Sequence, residues 1–236
     1  MIVTDAVYND VIVNKPWGYE YLMYRNQDVA LWCLVIREGA STSLHCHPRK
    51  KTGLIVLSGS ATLRFLNNSS RLTSPANTMI RPGLFHQTSA DLRTDVVLIE
   101  VESPVDKMNL VRLDDEYGRA NTSYESVSAT RPLDSSCLRL PEPSGATVRQ
   151  WEFYGRLLRM YPRSDPDFLV RDLQPGDIAI VLDGGLFTEE GEPILTPGDS
   201  VSSSTVSRLA GCFVAPHGIS ALVVSTPEPD PSAAGR

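Results

Sequence analysis

The chain has 236 residues, and its 22 lysines and arginines against 28 aspartates and glutamates give a formal net charge of −6. This acidic balance disfavours a protein that binds nucleic-acid phosphates or anionic membranes. The composition, 42% hydrophobic and 21% charged, is typical of a folded globular protein. The four cysteines form no CxxC pair and no secretory leader is recognised, so we expect a reducing, cytoplasmic setting. The longest apolar run, residues 30–36, is too short to cross a bilayer.

Short segments rich in β-branched and aromatic residues, separated by Gly, Pro, Asn or Ser, predict an all-β protein. No segment carries a long helical period. The predicted strands lie at residues 30–36, 54–57, 61–65 and 96–101 in the first half and at 178–182, 185–187 and 221–225 in the second.

The composition also divides the chain into parts. Between residues 103 and 146 the sequence becomes rich in Ser, Thr, Asp, Arg and Pro, and such a stretch buries little apolar area. We predict a first barrel, a surface linker, a second barrel and a flexible tail at residues 1–118, 119–146, 147–226 and 227–236.

The two halves resemble each other in their pattern of strands and turns. Residues 53–59 are echoed by 177–184, and the turn at 74–77 is echoed by the turn at 196–199. A repeated sequence of strand, tight turn and strand predicts a tandem β-barrel or sandwich.

Three of the four histidines are placed as metal ligands would be. His45 and His47 are separated by one residue, so on a strand both imidazoles point to the same face. His86 follows a Pro-Gly turn about forty residues later, at a distance that a returning strand can bridge. Three nitrogen ligands with open positions suit one divalent transition metal: Zn²⁺, Fe²⁺, Mn²⁺ or Ni²⁺.

Gly39, His45-Cys46-His47, Thr52 and Gly59 have the spacing of the first signature of the cupin superfamily, which they resemble. Residues 81–86, Arg-Pro-Gly-Leu-Phe-His, resemble the core of its second signature. The resemblance implies two tandem cupin barrels, of the double-stranded β-helix or jelly-roll type, with a metal held by His45, His47 and His86. The usual glutamate ligand falls on Thr52, so the implied site has three histidines and no carboxylate.

The second half lacks the corresponding ligands. Aligning Gly59 with Gly184 places Val170, Asp172 and Asp177 at the positions of His45, His47 and Thr52. We therefore predict a degenerate second barrel that is kept for packing or dimerisation, and we expect a homodimer.

The segments that flank the first barrel indicate a sugar substrate. Residues 15–20, Lys-Pro-Trp-Gly-Tyr-Glu, and residues 113–119 are similar to segments of the mannose-6-phosphate isomerase-like cupins. This resemblance implies a small-molecule sugar substrate, and the cations beside the predicted metal suit an anionic one. Since the sequence has no nucleic-acid-binding signature and no membrane-spanning run, we expect neither kind of partner.

The candidate site residues follow from charge and position. Arg49, Lys50 and Arg81 are predicted to bind a phosphate or carboxylate, and Trp17 to stack on a sugar face. The candidate acid–base residues are Lys51, Tyr19 and Glu20, and we favour Lys51 because a neighbouring cation would lower its pKa.

Three functions from different classes remain open. The first is a metal-dependent isomerase or epimerase that acts on a phosphorylated or nucleotide-linked sugar. The second is a three-histidine non-haem Fe(II) dioxygenase, because three neutral ligands leave one face of the iron open. The third is a non-catalytic sugar-binding bicupin.

Overall fold

The computed structural model describes residues 5–120 and 124–227. The structure consists of antiparallel strands and a few short helices, which confirms the predicted all-β class. No helix in the described part of the chain is long and apolar enough to span a bilayer. The predicted flexible tail, 227–236, lies outside these residues except for its first residue.

The first half of the chain supplies eleven strands. They are β1 (Val11–Lys15), β2 (Gly18–Arg25), β3 (Ala30–Ile36), β4 (Leu44–Cys46), β5 (Lys51–Ser58), β6 (Ser60–Phe65), β7 (Ser69–Thr73), β8 (Ala76–Ile80), β9 (His86–Ala90), β10 (Val96–Ser103) and β11 (Val111–Asp114).

The remaining elements are shorter on average and include helices. They are β12 (Thr130–Pro132), β13 (Arg149–Phe153), β14 (Arg156–Ser164), α1 (Phe168–Arg171), β15 (Ile178–Gly184), β16 (Leu186–Phe187), β17 (Pro193–Leu195), β18 (Ser200–Ser202), α2 (Ser203–Ala210) and β19 (Ile219–Ser225). The sequence analysis did not predict either helix, because four and eight residues are too few to establish a helical period.

Two sheets enclose the first barrel. One has the strand order β12-β1-β2-β3-β10-β5-β8, and the other has the order β11-β4-β9-β6-β7. Apolar side chains such as Leu34, Leu54, Leu63 and Leu98 fill one part of the interior between them. The second half has one five-stranded sheet, β13-β14-β19-β15-β18, and a two-stranded sheet, β16-β17. This reduced second unit agrees with the predicted degeneracy.

The large sheets of the two halves pack against each other. Ile99 and Val101 of β10 share a core with Leu222 and Val224 of β19. The alternate residues of β10, including Leu98, point into the first barrel, and Val223 of β19 points into the interior of the second unit. Strands β3 and β10 are thus covered on both faces, which explains their nearly continuous apolar sequence.

The segment predicted as a linker, 119–146, is attached to the first barrel. Its strand β12 pairs with β1, with Ile12 opposite Arg131. The side chains of Tyr124 and Leu140 are buried, the first in the barrel interior and the second in the core between the sheets. The segment thereby supplies groups to the functional site described below.

Candidate metal centre

The three predicted histidines meet at one point inside the first barrel. His45 lies on β4, His47 follows that strand directly, and His86 begins β9, where it is paired in register with His45. Their imidazole nitrogens lie within 4.8 Å of one another, and all three side chains are buried. Two Zn–N bonds of about 2.1 Å place ligand nitrogens at most about 4.2 Å apart, so small side-chain movements would complete a site.

Each imidazole is oriented by the backbone. The Nδ1 atoms of His45, His47 and His86 lie 2.8, 2.7 and 2.9 Å from the carbonyl oxygens of Ser43, Asn109 and Leu84. Because a carbonyl only accepts, Nδ1 must carry the proton, which leaves Nε2 with a free lone pair. This arrangement fixes the tautomer that metal-binding histidines use.

The chemistry of the cluster fits a metal ion. Burial lowers the pKa of His45 and His47 well below the usual range and lowers that of His86 to about 4, so the imidazoles are neutral ligands. The Nε2 atom of His47 is buried and has no hydrogen-bond partner in the described structure. A buried imidazole nitrogen without a hydrogen-bond partner has a lone pair free to bind a transition metal.

No carboxylate joins the three histidines among the described residues. The Thr52 hydroxyl, at the position expected for a glutamate ligand, is buried and has no hydrogen-bond partner in the described structure. A hydroxyl brings no negative charge, so the two positive charges of a bound ion would remain unbalanced by its protein ligands.

A buried ion pair lies beside the histidines. The Lys50 ammonium contacts the Glu102 carboxylate, and both side chains are almost fully inaccessible. Glu102 also accepts a hydrogen bond from Trp32 Nε1 at 3.0 Å. The charge of Lys50 contributes to the lowered pKa of His47, after the larger effect of burial. Lys50 thus faces the barrel interior, where it adds positive charge next to the candidate metal centre.

A small cavity of about 50 Å³ is lined by His45 and His47 and by charged side chains of both signs. The carboxylate of Glu20 pairs with Lys107 at 2.8 Å and with Lys15 at 3.5 Å, and it accepts a hydrogen bond from Tyr124. Burial alone would raise the pKa of Glu20, but Lys107 and Lys15 outweigh it and lower the pKa to about 2.

The segment after the first barrel completes the cavity wall. Glu125 accepts hydrogen bonds from Lys15, from Arg112 at 3.1 Å and from Arg119 at 2.6 Å. Arg119 also pairs with Asp115 at 2.7 Å and is more exposed than the other paired cations of the cavity. The cavity therefore offers sugar hydroxyls both donors and acceptors, with an arginine nearest to solvent.

The structure brings three of the other predicted site residues to the cavity. Trp17, Glu20 and Lys50 line it together with His45 and His47. Glu20 is held as an ion by its two lysine partners, which makes it a weak base.

The remaining predicted residues do not line the cavity. Lys51 Nζ contacts Thr196 and Asp199 of the second half, each at 2.7 Å. Tyr19 packs against the core between the two sheets. Arg49 is exposed and pairs with Asp106 at 2.8 Å, and the exposed Arg81 contacts the Pro82 carbonyl. These positions correct our preference for Lys51 as the base, because its ammonium is engaged between the two halves.

The sequence analysis missed several cavity residues that the tertiary structure supplies: Lys15, Glu100, Lys107, Arg112, Arg119, Tyr124 and Glu125. One signal was available in the sequence. Glu100 and Glu102 interrupt the apolar strand β10 at alternate positions, and a buried strand carries charges on one face only where that face has a polar purpose.

Comparison with known proteins finds similarities to the first half of the chain. Residues 4–115 match the family model of the mannose-6-phosphate isomerase C-terminal domain. The resemblance to sugar-processing cupins is confirmed. The xanthan biosynthesis protein XanB of Xanthomonas campestris pv. campestris is 29% identical over 109 residues. That stretch covers 45% of this chain and 23% of XanB, so the chain corresponds to less than a quarter of that relative.

Solved structures with similar folds have low overall similarity. KdgF from a Halomonas species matches 42% of this chain and 88% of its own, with a TM-score of 0.39 and 20% identity. The capsular polysaccharide assembling protein CapF from Staphylococcus aureus matches 44% of this chain and 34% of its own, with a TM-score of 0.40 and 19% identity.

Proposed function

We propose that the protein is a metal-dependent isomerase or epimerase that acts on a phosphorylated or nucleotide-linked sugar. The observation that carries this proposal is the cluster of three neutral imidazoles, each oriented by a backbone carbonyl, two of which, His45 and His47, line a small cavity with charged side chains. The match of residues 4–115 to a sugar-phosphate isomerase family and the similarity to XanB support a sugar substrate.

His45, His47 and His86 would hold the metal ion. When bound there, the ion supplies an electrophile that polarises a sugar carbonyl or hydroxyl. The backbone carbonyls that bind the three Nδ1 atoms keep the ligand nitrogens aimed at one point before any ligand arrives. The buried Lys50 also lines this cavity, where its charge is balanced by the Glu102 carboxylate.

The cavity size limits which part of a substrate enters. A volume of about 50 Å³ holds little more than one or two water molecules. Only the reacting carbons and their oxygens would occupy it, and the phosphate or nucleotide would remain at the mouth beside Arg119. The Lys107–Glu20 ion pair in the cavity wall would then offer the sugar hydroxyls a donor and an acceptor side by side.

Solvent-hydrogen exchange tests the proposal. The protein, loaded in turn with Zn²⁺, Mn²⁺, Ni²⁺ or anaerobic Fe²⁺, is incubated in D₂O with mannose 6-phosphate, fructose 6-phosphate and a nucleotide-linked keto-hexose. We expect one deuterium to enter the sugar at the carbon next to the carbonyl, measured by proton NMR. A parent protein that exchanges no hydrogen of any of these sugars, with any of the four metals, contradicts the proposal.

The donor set also favours a second candidate, the three-histidine Fe(II) dioxygenase. Three neutral ligands without a carboxylate leave room on iron for both substrate and O₂. Oxygen consumption that requires Fe²⁺ would select this function. Thermal stabilisation by sugar phosphates without exchange or oxygen uptake would instead select the non-catalytic binder. The homodimer and the cytoplasmic setting remain predictions.

A further inference from the structure

Glu100 differs from the other acidic residues of the first barrel. It lies on β10 opposite Trp32 of β3 and Leu54 of β5, on the strand face that points into the barrel. The side chain is buried and lines the same cavity as His45 and His47.

The other carboxylates near the cavity form ion pairs with lysine or arginine side chains, whereas Glu100 does not. Lys107 pairs with Glu20, and Lys50 pairs with Glu102. Lys15, Arg112 and Arg119 all pair with Glu125. In the described structure no cation forms an ion pair with the Glu100 carboxylate, and an ionised carboxylate on a largely buried side chain is strongly unfavourable without one.

Such a carboxyl escapes the cost of burial by holding a proton. Burial raises the pKa of Glu100, and the carboxylates of Glu20 and Glu102 raise it further, against the opposing charges of Lys107 and Lys50. A carboxyl with a raised pKa is a stronger base than an ordinary one and a useful acid near neutral pH.

We propose that Glu100 is the residue that transfers protons in the cavity. It is the one carboxyl of the described cavity wall that forms no ion pair, and it lines the same cavity as two of the three candidate metal ligands, His45 and His47. The tertiary structure thereby assigns to Glu100 the catalytic role that sequence analysis gave to Lys51, Tyr19 or Glu20.

This role rests on the proposed isomerase or epimerase function. The ionised Glu100 takes the proton from the carbon next to the sugar carbonyl. The electron pair of that C–H bond forms a carbon–carbon double bond, and the carbonyl π pair moves to its oxygen, which gives an enediolate. In an isomerase Glu100 returns the proton to the neighbouring carbon, while the hydroxyl proton on the deprotonated carbon moves to the former carbonyl oxygen, so that a new carbonyl forms. In an epimerase the enediolate turns its opposite face to Glu100, which returns the proton to the same carbon, and the original carbonyl forms again. No oxidant or reductant is consumed.

The protonation of Glu100 is tested first, by stability alone. The raised pKa means that the folded protein loses stability as pH rises from about 4.5 through the folded pKa. Glu100→Gln removes this loss, so its Tm should exceed that of the parent by a few degrees at pH 8, with the difference shrinking toward pH 5. Glu102→Gln is the control and should lower Tm, because it leaves the buried Lys50 without a charge partner. A Glu100→Gln variant that is less stable than the parent at pH 8 overturns the proposal.

The catalytic role is tested with the D₂O assay. Glu100→Gln should lower the exchange rate at least about 100-fold while the metal content per chain stays at the parent value. Glu100→Asp should keep part of the rate and shift the pH at which it is half-maximal, an effect that a purely structural residue would not produce. Parent-like exchange in Glu100→Gln overturns the role of Glu100 alone. No exchange in the parent protein contradicts the isomerase function and, with it, this role.

Discussion

Five strands of the seven-stranded sheet in the first half have the same order as the five-stranded sheet of the second half, whereas the smaller sheets differ. The order β2-β3-β10-β5-β8 in the first half corresponds, strand by strand in chain order, to β13-β14-β19-β15-β18 in the second. Where the first half has β4 between β3 and β5, the second has α1 between β14 and β15. Likewise β9 lies between β8 and β10, whereas α2 lies between β18 and β19. The two strands that carry His45 and His86 are therefore the ones replaced by helices.

The large sheets form the contact between the two halves, whereas the smaller sheet of the first half carries the candidate metal ligands His45 and His86. The large sheets pack face to face, so a change in either would expose the core that they share. The smaller sheet faces no such constraint, and in the second half the interior is apolar, with residues such as Leu169, Leu186 and Val206. Asp177, at the position equivalent to Thr52, is held by Arg159 at 2.8 Å in an ion pair that only fixes local structure.

The largest expected difference between the two halves is in metal binding, which is tested by removing the histidines of the first half. The variant His45→Ala/His47→Ala/His86→Ala should fall from about one bound ion per chain to none, measured by elemental analysis after loading and desalting. His217→Ala changes the exposed histidine of the second half and should keep the parent metal content. Equal metal content in the triple variant and the parent would place the metal elsewhere.

The charged interior of the first barrel should be costly to disrupt. Lys50→Met leaves Glu102 buried without its cation and should lower the free energy of unfolding by about 3–5 kcal/mol. Lys50→Met/Glu102→Leu should recover most of this loss, because it removes both charges. Asp183→Asn breaks the exposed pair with Arg163 in the second half and should change the stability by less than about 1 kcal/mol. Similar losses in Lys50→Met and Asp183→Asn would contradict the burial of the first pair.

The shared core predicts that both halves unfold together. Leu222→Ala should lower the free energy of unfolding by about 2–5 kcal/mol, because the side chain is fully buried between the sheets.

Tryptophan fluorescence distinguishes the unfolding of the two halves. Trp17 and Trp32 lie in the first half and Trp151 in the second, so variants that keep a single tryptophan report on one half at a time. We expect coincident denaturant transitions that shift together. Leu92→Ala, at an 85% exposed side chain, is the control and should shift neither. Separate transitions would show that the halves are independent.

The smallest expected effect is an acid sensitivity specific to the first half. Because Lys107 and Lys15 lower the pKa of Glu20 to about 2, its contribution to stability is complete above pH 4.5 and is lost as pH falls toward 2. In Glu20→Gln the slope of stability against pH over this range should decrease by at most about 1.4 kcal/mol per pH unit. Denaturant unfolding at pH 5, 4 and 3 measures it, and an unchanged slope would contradict the assigned ion pairs.

Strand positions and the histidine cluster were predictable from the sequence because both are local properties. The predicted strands at residues 30–36, 54–57, 96–101, 178–182 and 221–225 lie within β3, β5, β10, β15 and β19, whose ends extend at most three residues further. The spacing of His45 and His47 needs only the two-residue period of a strand. The helices α1 and α2 were not predictable, since their few turns are stabilised by packing against the second sheet.

The choice of cavity residues depended on the face of each strand. Lys50 points into the first barrel, whereas its neighbour Lys51 points toward the second half. Likewise Glu20 points into the first barrel, whereas its neighbour Tyr19 packs against the core between the sheets. A shift of one residue reverses the face of a strand side chain, so composition could not separate these neighbours.

The sequence by itself determined the all-β class, the duplicated pattern and the three histidines, because alternation and turn residues act over short distances. Only the tertiary structure decided which charges surround the cavity. Tyr124 reaches Glu20 and Lys15 reaches Glu125 across more than a hundred residues of chain. In these contacts the cations of the cavity pair with carboxylates other than Glu100, which is left without an ion pair. This distribution of charges depends on how all the strands pack around one interior.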